Sequence, residues 1–493
     1  MFGGFVDMVE HLAGIEDFFI KRITGEWPTV NPAKGYFLTA PGRVNLIGEH
    51  VDYSNCPVLP IAVDKHILAY VVPMDTPTVQ VADLHIANGS IRFTFTPDPP
   101  PGYAIPSYQT GHWGNYIKAA IHQLLQEKLP VDGLVAGSST TGTGCKVWDK
   151  GFSMVFSSTI PQAAGMSSSS ALVVLSAIAF LEVNHIPYET VEQRLILADI
   201  CRRAEMYVGT RGGGMDQAAI IMGKENYATK ISFNPLSADL IPFGQDCAIV
   251  VTHSTIEAPK TRAMMEAYNR RSIECALAAA IVSKVFEIDH GISSLEYIGD
   301  LTPAKTGFPT SRLDELVAGI FHEDPYSPEE IAWLLGIPVA SMKTRYCRMR
   351  DGSQFPIPPE GFKLYQRFFH VWNEWKRVEE SLVLIERGQL DQFGKLMDAS
   401  HASCRDYHEV SCPQLDTLTE IARTNGAMGS RLTGAGFGGC AVSLVAPDKL
   451  ESFIQDILSK YYGEYLHMKE SEARQYVFVV KPSAGAGRYQ VPF

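Results

Sequence analysis

Residues 41–53, PGRVNLIGEHVDY, gather polar side chains of several chemical types around the apolar stretch NLIG. Arg43 supplies a cation. Three possible acceptors follow within a few residues: Glu49, His50 and Asp52. Carboxylates and an imidazole can hold hydroxyl groups through paired hydrogen bonds, and a nearby arginine can stabilise developing negative charge. The segment therefore indicates a site for a small polar ligand, such as a sugar that receives a phosphoryl group; the structural alternative is a polar turn at a strand end.

The segment PQAAGMSSSSALVV, residues 161–174, places a glycine- and serine-rich turn before an apolar run that predicts a buried helix. Gly165 precedes hydroxyl groups from Ser167 to Ser170. Backbone N–H groups at a helix N-terminus bind phosphate without a lysine, helped by the positive end of the helix dipole. A serine hydroxyl there can also ligate Mg²⁺, which prefers oxygen donors. The structural alternative is a serine N-cap with a flexible linker.

Three glycines in RLTGAGFGGCAVSLVA fit the spacing G-x-G-x-x-G: Gly434, Gly436 and Gly439. A dinucleotide-binding loop of this kind follows a strand and opens a helix. Here the pattern predicts a loop that follows the helix Leu415–Ala422 and opens a strand. The order of elements thus argues against a dinucleotide site, and a tight glycine turn is the structural alternative.

A fourth segment, RGGGMDQ, places Asp216 two positions after three glycines at positions 212–214. Glycines let a backbone and a ligand approach closely, so this carboxylate could take part in chemistry. A single aspartate in a loop can equally be a turn former.

These segments must be positioned by strands and helices, and the apolar periodicity predicts both. The predicted strands are 35–50, 58–73, 78–81, 91–95, 151–159, 227–233, 247–253, 440–446 and 475–482. The predicted helices are 113–127, 167–184, 188–208, 262–286 and 415–422. Strands and helices that mix without an internal repeat indicate an α+β fold in two domains.

The predicted domains divide the chain at residue 244. A helical extension at 1–35 precedes a first domain at 36–244, which holds the polar segment 41–53 and the serine run. The second domain, 245–493, contains a polar, proline-containing region at about 291–361. That region has no predicted place in a core and is interpreted as an insertion.

Composition excludes several classes of protein. The chain has 493 residues with 46% hydrophobic and 19% charged residues, as in folded proteins, and a formal charge of -12 that disfavours nucleic acid and membrane surfaces as partners. The nine cysteines are scattered, without a CxxC pair, which indicates reduced thiols in a reducing compartment. The N-terminus lacks the basic and continuous apolar parts of a signal peptide, and the longest apolar run, Ala171–Val183, is too short to cross a bilayer. We therefore expect a cytoplasmic protein.

Taken in order, the segments resemble the three signature motifs of the GHMP small-molecule kinases, and PGRVNLIGEHVDY is similar to the galactokinase signature almost residue for residue. The resemblance extends to Trp113–Tyr116, to GGMDQ and to the C-terminal KPSAGAG. It implies a two-domain GHMP kinase fold with the active site in the cleft between the domains. The implied activity is ATP-dependent phosphorylation of the anomeric 1-hydroxyl of galactose, with Mg²⁺ as cofactor.

The resemblance also implies roles for individual residues. Asp216 is expected to be the catalytic carboxylate and Arg43 its partner near the reacting hydroxyl. The residues expected to bind the sugar are Arg43, Glu49, His50, Asp52, Gly213, Asp216 and Tyr268. The residues expected to hold the nucleotide phosphates are Gly165, Met166, Ser167, Ser168, Ser169, Gly434 and Gly436. Ser169 and Glu205 are the expected Mg²⁺ pair.

Some positions depart from the galactokinase pattern. After His50 the chain has Asp-Tyr-Ser-Asn-Cys-Pro, and Pro57 restricts φ and removes a donor, so the loop beside the sugar must take another path. Met166 stands where leucine is usual and Ser170 where alanine is usual; both changes are expected to be tolerated. GGGMDQ and the inserted region are more similar to the eukaryotic branch of the family.

Three other functions stay open at this point: an N-acetylgalactosamine kinase, a non-catalytic or bifunctional galactose-sensing regulator with a protein partner, and another GHMP kinase. The first depends on the space at the sugar's 2-position. An intact Arg43 and Asp216 favour catalysis over pure sensing, and Glu49-His50-Val51-Asp52 favours a sugar over mevalonate or homoserine. Tyr268 matches the aromatic residue that is usual in galactokinases and favours galactose.

Overall fold

Alternating and continuous apolar runs fold into two main β-sheets, a hairpin and the helices that cover them. The computed structural model describes residues 14–85, 89–100, 102–127, 148–161, 165–209, 212–256, 262–348 and 354–489. The first part of the predicted N-terminal extension and residues 349–353 of the predicted insertion lie outside these ranges. No helix in the described ranges is long and apolar enough to cross a membrane.

The first half of the chain alternates strands with helices. Its strands are β1 (Tyr36–Ile47), β2 (Leu59–Met74), β3 (Thr78–Asp83), β4 (Ser90–Thr94), β5 (Gly151–Ser158), β6 (Tyr227–Phe233) and β7 (Leu236–Pro242). Its helices are α1 (Ile15–Glu26), α2 (Gly114–Gln126), α3 (Ser168–Val183), α4 (Val191–Ala204) and α5 (Met215–Met222). A 3₁₀ turn, Glu205–Val208, continues α4. Of these elements, β7 was not among the predicted strands.

The second half is mainly helical. Its helices are α6 (Arg262–His290), α7 (Pro303–Thr306), α8 (Thr310–Ala318), α9 (Pro328–Leu335), α10 (Val339–Tyr346), α11 (Leu364–Glu386), α12 (Leu390–Asp406), α13 (Pro413–Thr424), α14 (Leu450–Asp456) and α15 (Glu470–Ala473). A π-helical segment, Ile457–Tyr465, follows α14. Its strands are β8 (Ala248–His253), β9 (Ala427–Thr433), β10 (Cys440–Val445), β11 (Val477–Val480) and β12 (Gly487–Arg488).

The strands form a six-stranded sheet in the order β12-β1-β2-β5-β3-β4 and a four-stranded sheet in the order β11-β8-β10-β9. Neighbouring strands are antiparallel except β3 and β5, which run parallel. Strands β6 and β7 pair as a hairpin. The last strand, β12, pairs with β1, so the C-terminal residues return to the sheet of the first half. Strands β7 and β8 lie on either side of the predicted domain boundary, which stays a prediction.

Helix α3 is the central helix of the first half, and it is apolar on all sides. Such a helix must be buried, and nearly every residue from Ser170 to Val183 is. It packs against α2, β1, β2 and α5. The packing of the helix therefore holds its N-terminus, which carries the serine run, in a fixed position.

The expectation that region 291–361 has no place in a core is wrong. Its described residues form α7 to α10, and they bury Leu313, Val317, Ile331 and Met342 in the main hydrophobic core. The helices are short and separated by prolines, so α8, α9 and α10 each contribute only one or two apolar residues to the buried side. That spacing hides the periodicity from the sequence.

The glycine loop 434–439 also differs from its predicted setting. It follows strand β9 and opens β10, so it joins two antiparallel strands of one sheet. The conclusion against a dinucleotide fold still holds, because no helix begins at the loop.

Candidate active site

A cavity of about 400 Å³ is lined by residues from both halves of the chain and has the size of a small-molecule site. It brings together the polar segment 41–53, the serine run, the glycine–aspartate segment and the glycine loop. The predicted site residues that line it are Arg43, Glu49, His50, Asp52, Gly165, Met166, Ser167, Ser168, Ser169, Glu205, Asp216, Tyr268, Gly434 and Gly436. Gly213 is the exception: Gly212 and Gly214 line the cavity, whereas Gly213 lies against Asp52.

Arg43 and Asp216 both line this cavity and form an ion pair in which Arg43 is buried and Asp216 is partly exposed. Arg43 Nε donates to Asp216 Oδ1 at 2.8 Å, and Arg43 Nη1 donates to the carbonyl oxygen of Gly165 at 2.5 Å. Burial lowers the pKa of Arg43, but the charges of Asp216 and Glu49 outweigh it and hold that pKa above its ordinary value. The guanidinium therefore stays charged and orients one carboxylate oxygen.

The other oxygen of that carboxylate is held by the serine run. Ser167 Oγ donates to Asp216 Oδ2 at 2.5 Å. Ser167 has a left-handed backbone, with φ of 57°, immediately before α3 begins. The serine run thus contacts the carboxylate as well as forming the start of the helix.

Asp216 lies in the first turn of α5, and the glycines before it allow that helix to approach the sugar-binding segment. The N–H of Gly213 donates to Asp52 Oδ2 at 2.9 Å. A Cβ atom at Gly213 would lie 2.3 Å from the backbone carbon of Asp52, so only glycine fits. Burial raises the pKa of Asp52, and the charge of Asp216 raises it further. Asp52 and Asp216 therefore repel each other through their charges, and the hydrogen bond from Gly213 connects Asp52 to the backbone that carries Asp216.

Glu49 and His50 connect the first motif to the glycine loop. Glu49 Oε2 accepts from Arg431 Nη2 at 3.1 Å and from the N–H of Gly434 at 3.2 Å. Burial raises the pKa of Glu49 to about 7, against the opposing charges of Arg431 and Arg43. The ring nitrogen Nε2 of His50 lies 3.1 Å from the carbonyl oxygen of Ala435, which makes that nitrogen the donor.

The ring of His50 belongs to a buried aromatic wall. Burial lowers the pKa of His50 to about 3, so the ring is neutral near physiological pH. Its centroid lies 5.5 Å from that of Tyr268 and 6.1 Å from that of Tyr53. Tyr53 Oη also contacts the ring nitrogen of His408 at 2.8 Å. Tyr268 also lines the cavity.

The phosphate-loop candidate and the glycine loop touch each other directly. A Cβ atom at Gly434 would lie 2.6 Å from the carbonyl oxygen of Gly165, and a Cβ atom at Gly165 would lie 3.0 Å from the carbonyl oxygen of Thr433. The N–H of Arg43 donates to the carbonyl oxygen of Met166 at 3.2 Å. Because these backbones meet, a side chain at 434 would clash with Gly165, and glycine lets the two loops pack this closely.

Ser169 and Glu205 reach the same cavity, but a neighbour of Ser169 holds the glutamate. Ser170 Oγ donates to Glu205 Oε1 at 2.5 Å, and Gln217 Nε2 lies 3.5 Å from the same Oγ. Ser170 thus connects the start of α3 to Glu205 and to the residue after Asp216. From the sequence, Ser170 is one hydroxyl of the serine run and a tolerated change from alanine, and its position one turn into a predicted helix is the available signal for this contact.

Sequence reasoning also missed Glu374, on α11, as a support of the site. Glu374 Oε1 accepts from the N–H groups of Gly48 at 2.9 Å and Glu49 at 3.2 Å, and from Ser400 Oγ at 2.5 Å. Burial raises its pKa, but Arg377 and other charges outweigh this and bring it down to about 2. A glutamate among apolar and aromatic residues in FFHVWNEW was the only signal.

The other end of the cavity is aromatic. Tyr108, His112, Tyr116 and Tyr207 line it. The rings of Tyr108 and His112 lie 4.7 Å apart, and Lys118 Nζ lies 3.2 Å from the centroid of Tyr108. Flat rings beside a cation favour a flat ligand group. The cavity therefore has a polar end at 43–52 and an aromatic end at 107–116.

Comparison with known proteins gives three family models and several relatives. The galactokinase galactose-binding signature matches residues 29–73, the GHMP kinases N terminal domain matches 115–224, and the GHMP kinases C terminal model matches 381–464. A galactokinase of Dictyostelium discoideum is 31% identical over 504 residues, which cover 96% of this chain and 92% of the relative. A galactokinase of Schizosaccharomyces pombe is 30% identical over 493 residues, which cover 92% and 91%.

The structural comparison agrees on the fold. The crystal structure of Lactococcus lactis galactokinase complexed with galactose matches with a TM-score of 0.70 and 23% identity. The match covers 97% of this chain and 100% of the other. The predicted α+β, two-domain GHMP kinase fold is confirmed.

Proposed function

The chain belongs to the galactokinases of the GHMP kinase superfamily, and on this premise we propose that it transfers the γ-phosphoryl group of ATP to the anomeric 1-hydroxyl of galactose. The observation that carries the proposal is the Arg43–Asp216 pair, which lies in the cavity beside Asp52. A loose phosphoryl-transfer transition state demands alignment and charge stabilisation more than covalent chemistry. A fixed carboxylate and a fixed guanidinium supply both.

The polar end of the cavity is the proposed sugar site. Glu49, His50 and Asp52 offer acceptors and donors for hydroxyl groups, and Tyr268 supplies an aromatic face. Asp52 contacts the segment that carries Asp216 through the N–H of Gly213. A sugar that Asp52 holds is thereby placed relative to the catalytic carboxylate.

In the proposed reaction the anomeric hydroxyl lies beside Asp216. Its proton passes to the Asp216 carboxylate while its oxygen bonds to the γ-phosphorus, and the bond from that phosphorus to the ADP oxygen breaks. Arg43 holds the Asp216 carboxylate in place through their ion pair and stabilises the negative charge near the reacting oxygen. The proton then leaves to solvent, and the products are galactose 1-phosphate, ADP and a proton.

The start of α3 is the proposed phosphate site. The N–H groups near Ser167, Ser168 and Ser169 lie at a helix N-terminus that faces the cavity. Gly434 and Gly436 line the opposite side of the same space. The aromatic end around Tyr108 offers flat rings for the base of ATP.

Ser169 and Glu205 would hold Mg²⁺, and the donor set fits that ion because both supply oxygen. In the described ranges no three His, Cys, Asp or Glu side chains meet as a metal cluster, which suits an ion that keeps water and phosphate oxygens as ligands. When bound, Mg²⁺ would neutralise charge on the β- and γ-phosphates.

Each cysteine in the described part of the chain is a free thiol, which supports the proposed cytoplasmic location.

The test measures ADP release in a coupled assay that contains ATP, Mg²⁺ and either galactose or N-acetylgalactosamine. Asp216→Asn is the blank, because it keeps the size of the side chain and removes its charge. Turnover with galactose alone supports the proposal. Efficient use of the acetamido sugar would move the assignment to an N-acetylgalactosamine kinase, and sugar binding without turnover would favour a sensor.

A further inference from the structure

Region 291–361, the predicted insertion, touches the loop that follows the proposed sugar ligand Asp52 through one glycine. A 3₁₀ turn, Ile298–Asp300, lies between α6 and α7 and packs against α6 and α11. A Cβ atom at Gly299 would lie 2.5 Å from the carbonyl oxygen of Asn55 and 2.8 Å from that of Ser54. The two backbones are therefore in direct contact, with no side chain between them.

The turn that makes this contact is firmly anchored. Asp300 is buried, and its carboxylate accepts from the N–H groups of Glu296 at 2.9 Å and Tyr297 at 3.0 Å. Lys305 Nζ donates to the other carboxylate oxygen at 2.5 Å. Ile298 and Leu301, on the two sides of Gly299, are 1% exposed. The turn is thus fixed on its own side and presents a rigid surface to the loop.

The loop that it touches leads directly to Asp52. Residues Asp52–Ser54 form a single 3₁₀ turn, which the N–H of Asn55 closes by donating to the carbonyl oxygen of Asp52 at 3.1 Å. Asp52 Oδ2 in turn accepts from the N–H of Gly213. A displacement of the Asn55 carbonyl would therefore move Asp52 and its contact with the catalytic segment.

This is also the place where the chain departs from the galactokinase pattern, with Ser54-Asn55-Cys56-Pro57 after Tyr53. We propose that Gly299, in the predicted insertion, is a positioning residue. Its backbone contact fixes the position of the 52–57 loop and thereby determines the affinity of the site for its sugar. The inference rests on the proposed galactokinase activity.

The test compares Gly299→Ala with Gly319→Ala in the full-length enzyme. Gly319 lies in the same inserted region, nothing lies within 4 Å of a Cβ atom there, and its φ of -101° suits any residue. The added methyl group at 299 must push the loop by a fraction of an ångström. We expect the KM for galactose to rise about tenfold, because small misplacements of binding groups are costly. The KM for ATP should match the Gly319→Ala control.

A second variant tests the proposal even if Gly299→Ala does not fold. Lys305→Ala removes the Lys305–Asp300 anchor from outside the loop, and the lysine is 38% exposed, so the change adds no clash. The loosened turn should raise the galactose KM about threefold, and calorimetry should show the same loss in direct galactose binding. If Gly299→Ala does not fold, Lys305→Ala decides alone.

The outcomes separate the two proposals. An inactive wild-type enzyme would overturn the function and leave direct sugar binding as the measure of the loop. An active wild-type enzyme with unchanged galactose KM in Lys305→Ala, and in Gly299→Ala where it folds, would overturn the positioning role. Equal rises in the KM values of galactose and ATP would also overturn it, because they would indicate a general structural effect.

Discussion

Ser167 Oγ lies 2.5 Å from Asp216 Oδ2, on the carboxylate oxygen that Arg43 does not hold. The carboxylate is therefore fixed from two sides, by a cation and by a hydroxyl of the serine run. This joins the proposed phosphate loop to the proposed catalytic group. We therefore expect the alignment of the attacking oxygen and the phosphate to depend in part on this hydrogen bond.

Ser167→Ala should lower kcat about tenfold with little change in the KM for galactose, because it removes a hydrogen bond to a charged group without touching the sugar ligands. Steady-state kinetics measures both. Ser176→Ala is the matched control, since Ser176 lies further along α3 and donates to Leu172 of its own helix. A change in KM alone would remove Ser167 from the alignment of Asp216.

Asp216→Asn should lower turnover by about a thousandfold, because the amide can neither accept the proton nor pair with Arg43 as an anion. Galactose binding should fall much less, since the other sugar ligands remain. ADP release measures the first effect and calorimetry the second. Turnover close to that of the wild type would contradict the catalytic role of Asp216.

Whereas Asp216→Asn should mainly lower turnover, Asp52→Ala should mainly weaken galactose binding. It removes a proposed sugar ligand and the acceptor for Gly213, so we expect the galactose KM to rise by roughly a hundredfold. The KM for ATP should change little, because Asp52 lies at the polar end of the cavity. Galactose titration followed by calorimetry gives a direct check, and an unchanged affinity would place the sugar elsewhere.

Ser169→Ala and Ser170→Ala should differ in their metal dependence. Loss of Ser169 removes a proposed Mg²⁺ ligand, whereas loss of Ser170 frees Glu205 from a 2.5 Å hydrogen bond and only disorders it. We expect Ser169→Ala to raise the Mg²⁺ requirement about tenfold and Ser170→Ala about threefold. Mn²⁺ binding to the ATP complex, followed by electron paramagnetic resonance, gives a readout apart from activity. Identical titrations for both variants and the wild type would exclude this metal pair.

Glu374→Gln should weaken the protein in a pH-dependent way. The pKa of Glu374 is lowered from 4.5 to about 2, so its ionised form stabilises the folded state above about pH 4.5 and loses that effect as the pH falls towards 2. The variant should therefore lose on the order of 3 kcal/mol near neutral pH. The difference from the wild type should shrink below about pH 4.5. Urea unfolding across this range measures it.

Glu380→Gln serves as the control for that experiment, because Glu380 is an exposed residue of the same helix. It should unfold like the wild type at every pH. A loss of stability that is equal at all pH values in Glu374→Gln would show that packing, rather than charge, explains the effect.

Much of the site could be predicted from local sequence. The helix that begins after Ser167, the strand that contains Arg43 and the glycines before Asp216 all follow from periodicity and residue type within about twenty neighbouring positions. The same segments carry the family resemblance. Their meeting in one cavity was expected from that resemblance, and the structure places them there.

The sequence alone determined the chemical inventory and the local form of each segment, since a strand, a helix start or a glycine turn depends mainly on near neighbours. The tertiary structure decided which distant residues contact these segments and hold them in position. Ser170 meets Glu205, Glu374 meets Gly48, and Gly299 meets Asn55 across 35 to several hundred positions of chain. Such contacts depend on how helices and sheets pack, and no local pattern encodes that packing distance.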